Sequence, residues 1–475
     1  MPFSPASYDC FRITSFEADP AGPGAVLRYA LDDEHVFEER IAFGGRGVEL
    51  SPGARAGFEA VVRLLHLAAG VSYYKTAAPR RIVVETGALS PAESRFLHGI
   101  YDSGMREFAY RNGLAVPLDL DVSTAGAGDR PHGTPAIEAP PPGTAVPVGG
   151  GKDSIVVLEA LKHLDPPPVL VSINSSPAVE RIASISGLGL FAIERRIDPL
   201  LLELNRQGAM NGHVPVTAIV CLLAVAGGYV RGYDTTVMAT EASADAPTRV
   251  DSPSRVGGGP PRSDSMAGPA GGVEINHQWS KSAEFETLLG EALRDSVHSS
   301  VRCVSVLRRF TELEITGAFA TLTPYLSSFR SCNRAFRISD PFDGWCADCP
   351  KCRFVFLALA PFLGRRELVQ IFGTDMLDDV TQVEGFSDML DPRRKPFECV
   401  GTVEEVFEAF GRLLADPSWS GAVVVEHVRK RIGERGPAVA GPARHLASSA
   451  EVFAGIRDCI SESVPRARSG AAPTR

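Results

Sequence analysis

Between an apolar run ending at Val148 and a helical pattern opening near Asp153, the chain reads Gly149-Gly150-Gly151-Lys152-Asp153-Ser154. Three glycines in a row let the backbone turn tightly and bring its N–H groups against a phosphate. The positive end of the following helix points at the same place. Lys152 adds a mobile positive charge, Ser154 a hydroxyl donor, and Asp153 a group that either caps the helix or holds a magnesium ion. The spacing differs from the P-loop of common ATPases, in which four residues separate the two glycine positions before Lys-Ser/Thr.

A second cluster is made of thiols. Cys332, Cys346, Cys349 and Cys352 form Cys-x13-Cys-x2-Cys-x2-Cys, the one clustered group among nine cysteines. Four thiolates suffice for a tetrahedral zinc site, and Cys-x2-Cys is a knuckle that grips one metal. An iron–sulfur cluster is the rival, because Cys-x2-Cys-x2-Cys also opens ferredoxin runs, but no fourth cysteine follows at the ferredoxin spacing. Zinc is favoured, in a structural role, since four protein ligands leave no open position.

Two polar knots supply acid and base groups. In Glu274-Ile275-Asn276-His277-Gln278-Trp279-Ser280-Lys281, His277 titrates near neutrality and suits proton transfer, while Lys281 suits a carboxylate or phosphate. A satisfied surface histidine in a helix cap would read the same way. In Lys395-Pro396-Phe397-Glu398-Cys399-Val400-Gly401, Cys399 could act as a thiol base of the kind two-cysteine racemases use. A lone cysteine beside Phe and Val is more often a small buried hydrophobe, and that reading is ahead. His213 and Glu241 are open in the same way.

These groups need elements to hold them. From Ala145 the pattern alternates: apolar Ala145 to Val148, helix Ile155 to Leu164, apolar Pro168 to Ile173 and Leu190 to Glu194, helix Val214 to Gly228, and strand Thr235 to Thr240. Buried strands alternating with helices imply an α/β fold with a parallel sheet and helices on both faces. Ligands of such sheets lie beyond the carboxyl ends of the strands. That brings Ser172-Ile173-Asn174, Asn211-Gly212-His213 and Glu241-Ala242-Ser243 toward the glycine loop, with Ser172 and Asn174 suited to adenine or ribose contacts, or simply to strand ends. Residues 1–122 predict a small α+β domain, with a strand at Arg81 to Glu85 and a helix entered through Ser90-Pro91. The Gly/Pro/Ala/Thr-rich stretch 123–143 reads as a linker, residues 144–330 as the nucleotide unit, 331–436 as the cysteine knuckle with a helical region including Thr402 to Leu414, and 437–475 as a tail whose last dozen residues are expected to be mobile. The Gly/Pro/Ser-rich stretch Ala244 to Gly272 reads as a lid or a disordered insertion.

The 475 residues are 44% hydrophobic and 22% charged, ordinary for two or three soluble domains. A net charge of -9 gives no general help toward nucleic acid or an anionic membrane. The most apolar helical stretch, Val214 to Val230, is broken by Pro215 and Gly227-Gly228 and falls short of a membrane span. The N-terminus lacks a basic region followed by an apolar run. A cytoplasmic protein is expected, with its cysteines as thiols or metal ligands. Nothing in the sequence sets the number of subunits.

The glycine loop resembles the PP-loop of the N-type ATP pyrophosphatases, Ser-Gly-Gly-Xaa-Asp-Ser, with Gly149 in place of the leading Ser. That resemblance implies ATP cleaved between its α and β phosphates, with AMP passed to a carboxylate, amide or carbonyl oxygen. The four-cysteine pattern beside such a loop also occurs in the cyano-deazaguanine synthases, nucleobase enzymes whose chains are about half this length. Taken together, the glycine loop, Asn211-Gly212-His213-Val214-Pro215, Asn276 to Lys281, Trp345-Cys346-Ala347-Asp348-Cys349-Pro350-Lys351-Cys352 and Lys395 to Gly401 are similar to the bacterial UDP-N-acetylmuramoyl-L-alanyl-L-glutamate epimerases, across nearly the whole chain. Ala242 stands where that family carries Arg. The resemblance implies ATP and magnesium as cofactors, inversion of the terminal L-glutamate of a UDP-muramoyl dipeptide during peptidoglycan synthesis, and release of AMP and pyrophosphate. The candidate proton-transfer residues His277, Lys281, Glu241 and Cys399 are argued from chemistry alone.

Overall fold

The computed structural model describes residues 3–19, 24–44, 49–125, 136–250, 272–336, 342–435 and 445–463. Its strands are β1 (Cys10–Asp19), β2 (Gly24–Leu31), β3 (His35–Phe43), β4 (Arg81–Val84), β5 (Asp121–Thr124), β6 (Thr144–Pro147), β7 (Val169–Ile173), β8 (Leu190–Arg196), β9 (Thr235–Glu241), β10 (Thr248–Val250), β11 (Val273–Ile275) and β12 (Arg302–Leu307). Ten of them form one sheet in the order β12-β9-β6-β7-β8-β3-β2-β1-β4-β5. β12, β9, β6, β7 and β8 run parallel to one another. The sequence therefore folds as the α/β sheet its alternating pattern implies, with strand and helix bounds close to those expected.

Within the parallel half, the first strand by sequence, β6, lies at the centre. The chain steps outward on one side through β7 and β8, then crosses to β9 and β12 on the other. The order reverses between β6 and β9, and such a reversal opens a crevice at the carboxyl ends of the two strands. Both faces are covered. Along the strands, Val146 and Leu170 enter one core cluster together with Ile155, Leu158 and Leu161 of the helix Lys152–Leu161. Their neighbours Ala145 and Val171 enter the other, with Leu222 and Leu223 of the helix Val216–Arg231. That alternation is the period-two geometry of a strand buried on both sides.

The N-terminal strands extend the same sheet. β3 pairs antiparallel with β8, from Arg40 opposite Arg196 to Phe43 opposite Ile193. At this seam the fully buried carboxylate of Glu39 accepts from Arg195 at 2.7 and 3.0 Å and from the Tyr73 hydroxyl at 3.0 Å, so a buried charge is met by matching donors. Ser90 opens the helix Pro91–Tyr101 through a capping box with Glu93.

The stretch expected to be a linker is partly structured: β5 pairs with β4, and Glu138 accepts from Ser51 at 2.6 Å. Residues 126–135 lie outside the described residues. So do residues 251–271 of the Gly/Pro/Ser stretch, which the β10–β11 ribbon flanks. The tail contains a helix, Ser449–Ser463, which buries Val452, Ile456 and Ile460 in the first core cluster; the last dozen residues lie outside the described residues. No helix among the described residues is long and apolar enough to cross a membrane.

Candidate active site

The crevice between β6 and β9 is a cavity of about 340 Å³, within the range of small-ligand sites. Gly149, Gly151, Lys152, Asp153 and Ser154 form one wall and the carboxyl end of β9, through Glu241, another. Gly150 adopts φ +98°, a conformation that side chains rarely take, and its carbonyl accepts from the Arg330 backbone at 2.8 Å. This turn seats the loop on Arg330 and Ser331, which also line the cavity. The helix Lys152–Leu161 begins at Gly151 without a side-chain cap, and its first turn lines the cavity.

Lys152 differs from the mobile cation expected of it. It is buried and paired with Asp153 and Glu312, the latter in the first turn of the helix Glu312–Ala320. Burial alone would discharge an ammonium, but the two carboxylates more than offset that and hold Lys152 charged. Glu312 is pushed upward by burial and by the nearby charges of Asp153, Glu241 and Glu405, against the pull of Lys152. The carboxylates of Asp153, Glu241 and Glu312 converge, each offering an oxygen within 4.8 Å of the others. Glu241 Oε2 is buried without a hydrogen-bond partner among the described residues. A hard divalent cation takes such oxygen donors, so this set fits magnesium.

Across the cavity stand Lys281 and Cys399. Cys399 is not the inert apolar thiol that its Phe and Val neighbours suggest. Burial raises its pKa, yet the Lys281 ammonium, a hydrogen bond from His277 and the charge of Lys351 bring it down to about 6. His277 moves the other way: burial disfavours its cation, but hydrogen bonds to Cys399 and Glu107 carry it up to about 9. His277 Nδ1 meets Glu107 Oε2 in a short contact. These shifts favour a thiolate at Cys399 and an imidazolium at His277, with Lys281 adding a second positive charge that burial opposes and Cys399 and Glu241 sustain.

The expected residues divide as follows. Glu241, Lys281 and Cys399 line the cavity with five of the six loop residues; His277 is not among the lining residues but acts on Cys399. His213 is not at the phosphate loop. Its ring lies 4.2 Å from that of His277, and burial followed by the His277 charge drives its pKa down to about 4. Ser172 and Asn174 do not line the cavity. Ser172 is buried, and the Asn174 amide is occupied by the Arg195 backbone at 2.8 and 3.0 Å, because β7 and β8 are tied together there. The flanking Val171 and Ile173 face the cavity instead.

Glu107, Glu312, Arg330, Ser331 and Lys351 were not singled out from sequence. Lys351 had a signal, since it sits inside Cys349-x2-Cys352; Glu312 follows a helix-capping Thr311 and reads as a first-turn acid. Glu107, four residues before Arg111, reads as half of an ordinary surface pair on a helix.

The four cysteines come together, their sulfurs all within 4.8 Å of one another; Cys349 and Cys352 are 3.5 Å apart, Cys346 and Cys352 3.8 Å. A tetrahedron with Zn–S bonds of about 2.3 Å has edges of about 3.8 Å, so the set fits one zinc ion. Cys349 caps the helix Pro350–Leu359, accepting from the Cys352 N–H at 3.4 Å. That helix turns Lys351, Phe354 and Val355 toward the cavity, while Arg330 and Ser331 immediately precede Cys332. The thiol cluster thus anchors one whole wall.

Family models for the MurL N-terminal domain and the MurL C-terminal domain match residues 2–257 with 262–306, and residues 328–441. A curated protein of Micromonospora sp. is 41% identical over 431 residues, covering 88% of this chain and 89% of its own length. One of Salinispora tropica is 40% identical over 428 residues, covering 88% and 87%, and one of Xanthomonas oryzae pv. oryzae 36% identical over 421, covering 88% of each. All three carry the name UDP-N-acetyl-alpha-D-muramoyl-L-alanyl-L-glutamate epimerase. These matches span both the sheet and the cysteine wall, and by them the chain belongs to the MurL family of epimerases.

Proposed function

We propose that this protein adenylates the α-carboxylate of the terminal L-glutamate in UDP-N-acetylmuramoyl-L-alanyl-L-glutamate, inverts that glutamate to the D form, and releases AMP and pyrophosphate. The observation that carries the reading is that the glycine loop and Cys399 line the same cavity. Activation and proton transfer then act on one bound residue. The name shared by the relatives supplies the substrate, and a UDP-linked precursor fits an enzyme working in the cytoplasm on peptidoglycan building blocks.

The chemistry follows from charge. While its carboxylate is ionised, glutamate is a very weak carbon acid, because the carbanion would sit beside a negative charge. The carboxylate attacks the α-phosphorus of ATP, the bond to the β,γ-phosphates breaks, and pyrophosphate leaves. Backbone N–H groups of residues 149–154 and the Lys152 charge stabilise the departing anion. Asp153, Glu241 and Glu312 would hold magnesium, which neutralises phosphate charge when bound.

In the acyl-adenylate the α-proton is far more acidic. Cys399 takes it as thiolate: an S–H bond forms, the Cα–H bond breaks, and its electron pair enters the enolate, with the Lys281 cation lining the same cavity. A proton supplied by solvent to the opposite face gives the D configuration, Cys399 releases the abstracted proton to solvent, and water then cleaves the mixed anhydride to AMP and carboxylate. Cys332, Cys346, Cys349 and Cys352 would hold a structural zinc that keeps Arg330, Ser331 and Lys351 in place.

The test combines the purified chain, ATP, magnesium and the dipeptide substrate in deuterium oxide. AMP, pyrophosphate, D-glutamate on chiral analysis and deuterium at Cα are expected. ADP with orthophosphate, or glutamate recovered wholly as L, would overturn the proposal.

A further inference from the structure

We propose that Glu107 is a positioning residue for proton transfer: its carboxylate fixes the orientation of the His277 ring, and so the edge of the imidazole that is left for Cys399. This deepens the reading above and rests on it. Glu107 lies in the helix Arg106–Arg111 and is buried at 5% exposure, where an unpaired carboxylate would be costly. Both of its oxygens are engaged, Oε2 by His277 Nδ1 and Oε1 by Arg111 Nε at 2.6 Å. With Nδ1 committed to Glu107, Nε2 is the ring nitrogen left to meet Cys399, so the carboxylate selects which edge of the imidazole faces the thiol. Burial works against a charged Glu107, but His277, His213 and Arg111 more than offset it.

The same helix also grips the segment that carries Cys399. The Arg111 guanidinium lies 5.1 Å from the Phe397 ring centre, and the Tyr110 and Phe397 rings meet edge-on at 6.1 Å. One turn of helix, in a part of the chain nearly 300 residues before Cys399, thereby holds both partners of the thiolate–imidazolium pair.

The other titratable groups around this pair are Lys281 and Lys351 facing Cys399, Lys395 on its own segment, and His213, whose ring lies against that of His277. Glu107 bears on His213, while Lys281 and Lys395 answer to other neighbours. Removal of Glu107 should therefore shift the pair in part, without abolishing it.

The experiment measures alkylation of Cys399 by iodoacetamide across pH, resolved by peptide mass spectrometry on the full chain, with Glu107→Gln and Glu107→Asp variants. The wild type should half-react near pH 6. Glu107→Gln should move that midpoint up by about one unit, toward an ordinary thiol at roughly 8.5, and Glu107→Asp should recover part of the shift. In Glu107→Gln, deuterium entry at Cα should fall about 100-fold while substrate-dependent pyrophosphate–ATP exchange stays near the wild-type rate. If Glu107→Gln loses its cooperative melt, Glu107→Asp carries the comparison with wild type. An unmoved midpoint, or deuterium entry and exchange lost in equal measure, overturns the proposal. Absence of exchange in the wild type would sink the adenylation reading instead, while the alkylation midpoints would still judge Glu107.

Discussion

Lys152 and Glu312 form a buried ion pair across 160 residues of chain, joining the helix that follows the glycine loop to the helix Glu312–Ala320. Removing one member of a buried pair leaves the other charge uncompensated, at a cost of about 3 to 5 kcal/mol. Lys152→Met would leave Glu312 crowded by Asp153 and Glu241, so we expect a stability loss of about 3 kcal/mol in urea denaturation and no AMP formation. A Lys152→Met variant as stable as the wild type would show that the pair does not hold the cavity floor.

Catalysis should depend on pH as a bell. Cys399 acts deprotonated, which holds above about pH 6, and His277 supports it protonated, which holds below about pH 9. Deuterium entry at Cα should rise through the first value and fall through the second. Cys399→Ser should lower it by about 100-fold or more at neutral pH. A rate still climbing at pH 10 would contradict the ion pair.

Stability should fall on acidification well before most carboxylates titrate. His66 is fully buried, its Nε2 bonded to the Arg28 carbonyl at 2.9 Å, and burial lowers its pKa from 6.5 to about 4. His213 is lowered similarly. Between these values the unfolded chain binds more protons than the folded one, so stability drops as pH falls from about 6.5 to about 4. Melting temperature measured over that interval should decline, and less steeply in His66→Gln.

The thiol cluster should bind about one zinc ion per chain, without the visible absorbance of an iron–sulfur centre. Cys349→Ser should lose the metal, lower the melting temperature and raise the KM for ATP, because Lys351 and Arg330 border the ligands. Full activity from a metal-free variant would separate the cluster from the cavity wall.

Magnesium dependence checks the carboxylates. Glu241→Gln keeps the volume of a side chain whose Oε2 lacks a partner among the described residues. The magnesium concentration for half-maximal AMP release should rise in this variant, with substrate affinity little changed.

What could be read from the chain alone was local. The strand and helix alternation from Ala145 onward, the glycine turn, the capped helix at Ser90 and the paired Cys-x2-Cys spacings each depend on residues a few positions apart, whose periodicity or backbone freedom declares the structure directly. The tertiary fold decided what no window of sequence contains. It continued the N-terminal strands into the same sheet through β3 and β8, turned Asn174 into a backbone clamp, and moved His213 from the phosphates to His277. It also turned Cys399 from an apolar thiol into a paired thiolate by placing Lys281 and His277 beside it. A pKa is set by neighbours in space and by the water they exclude, and those neighbours come from helices and loops hundreds of residues apart.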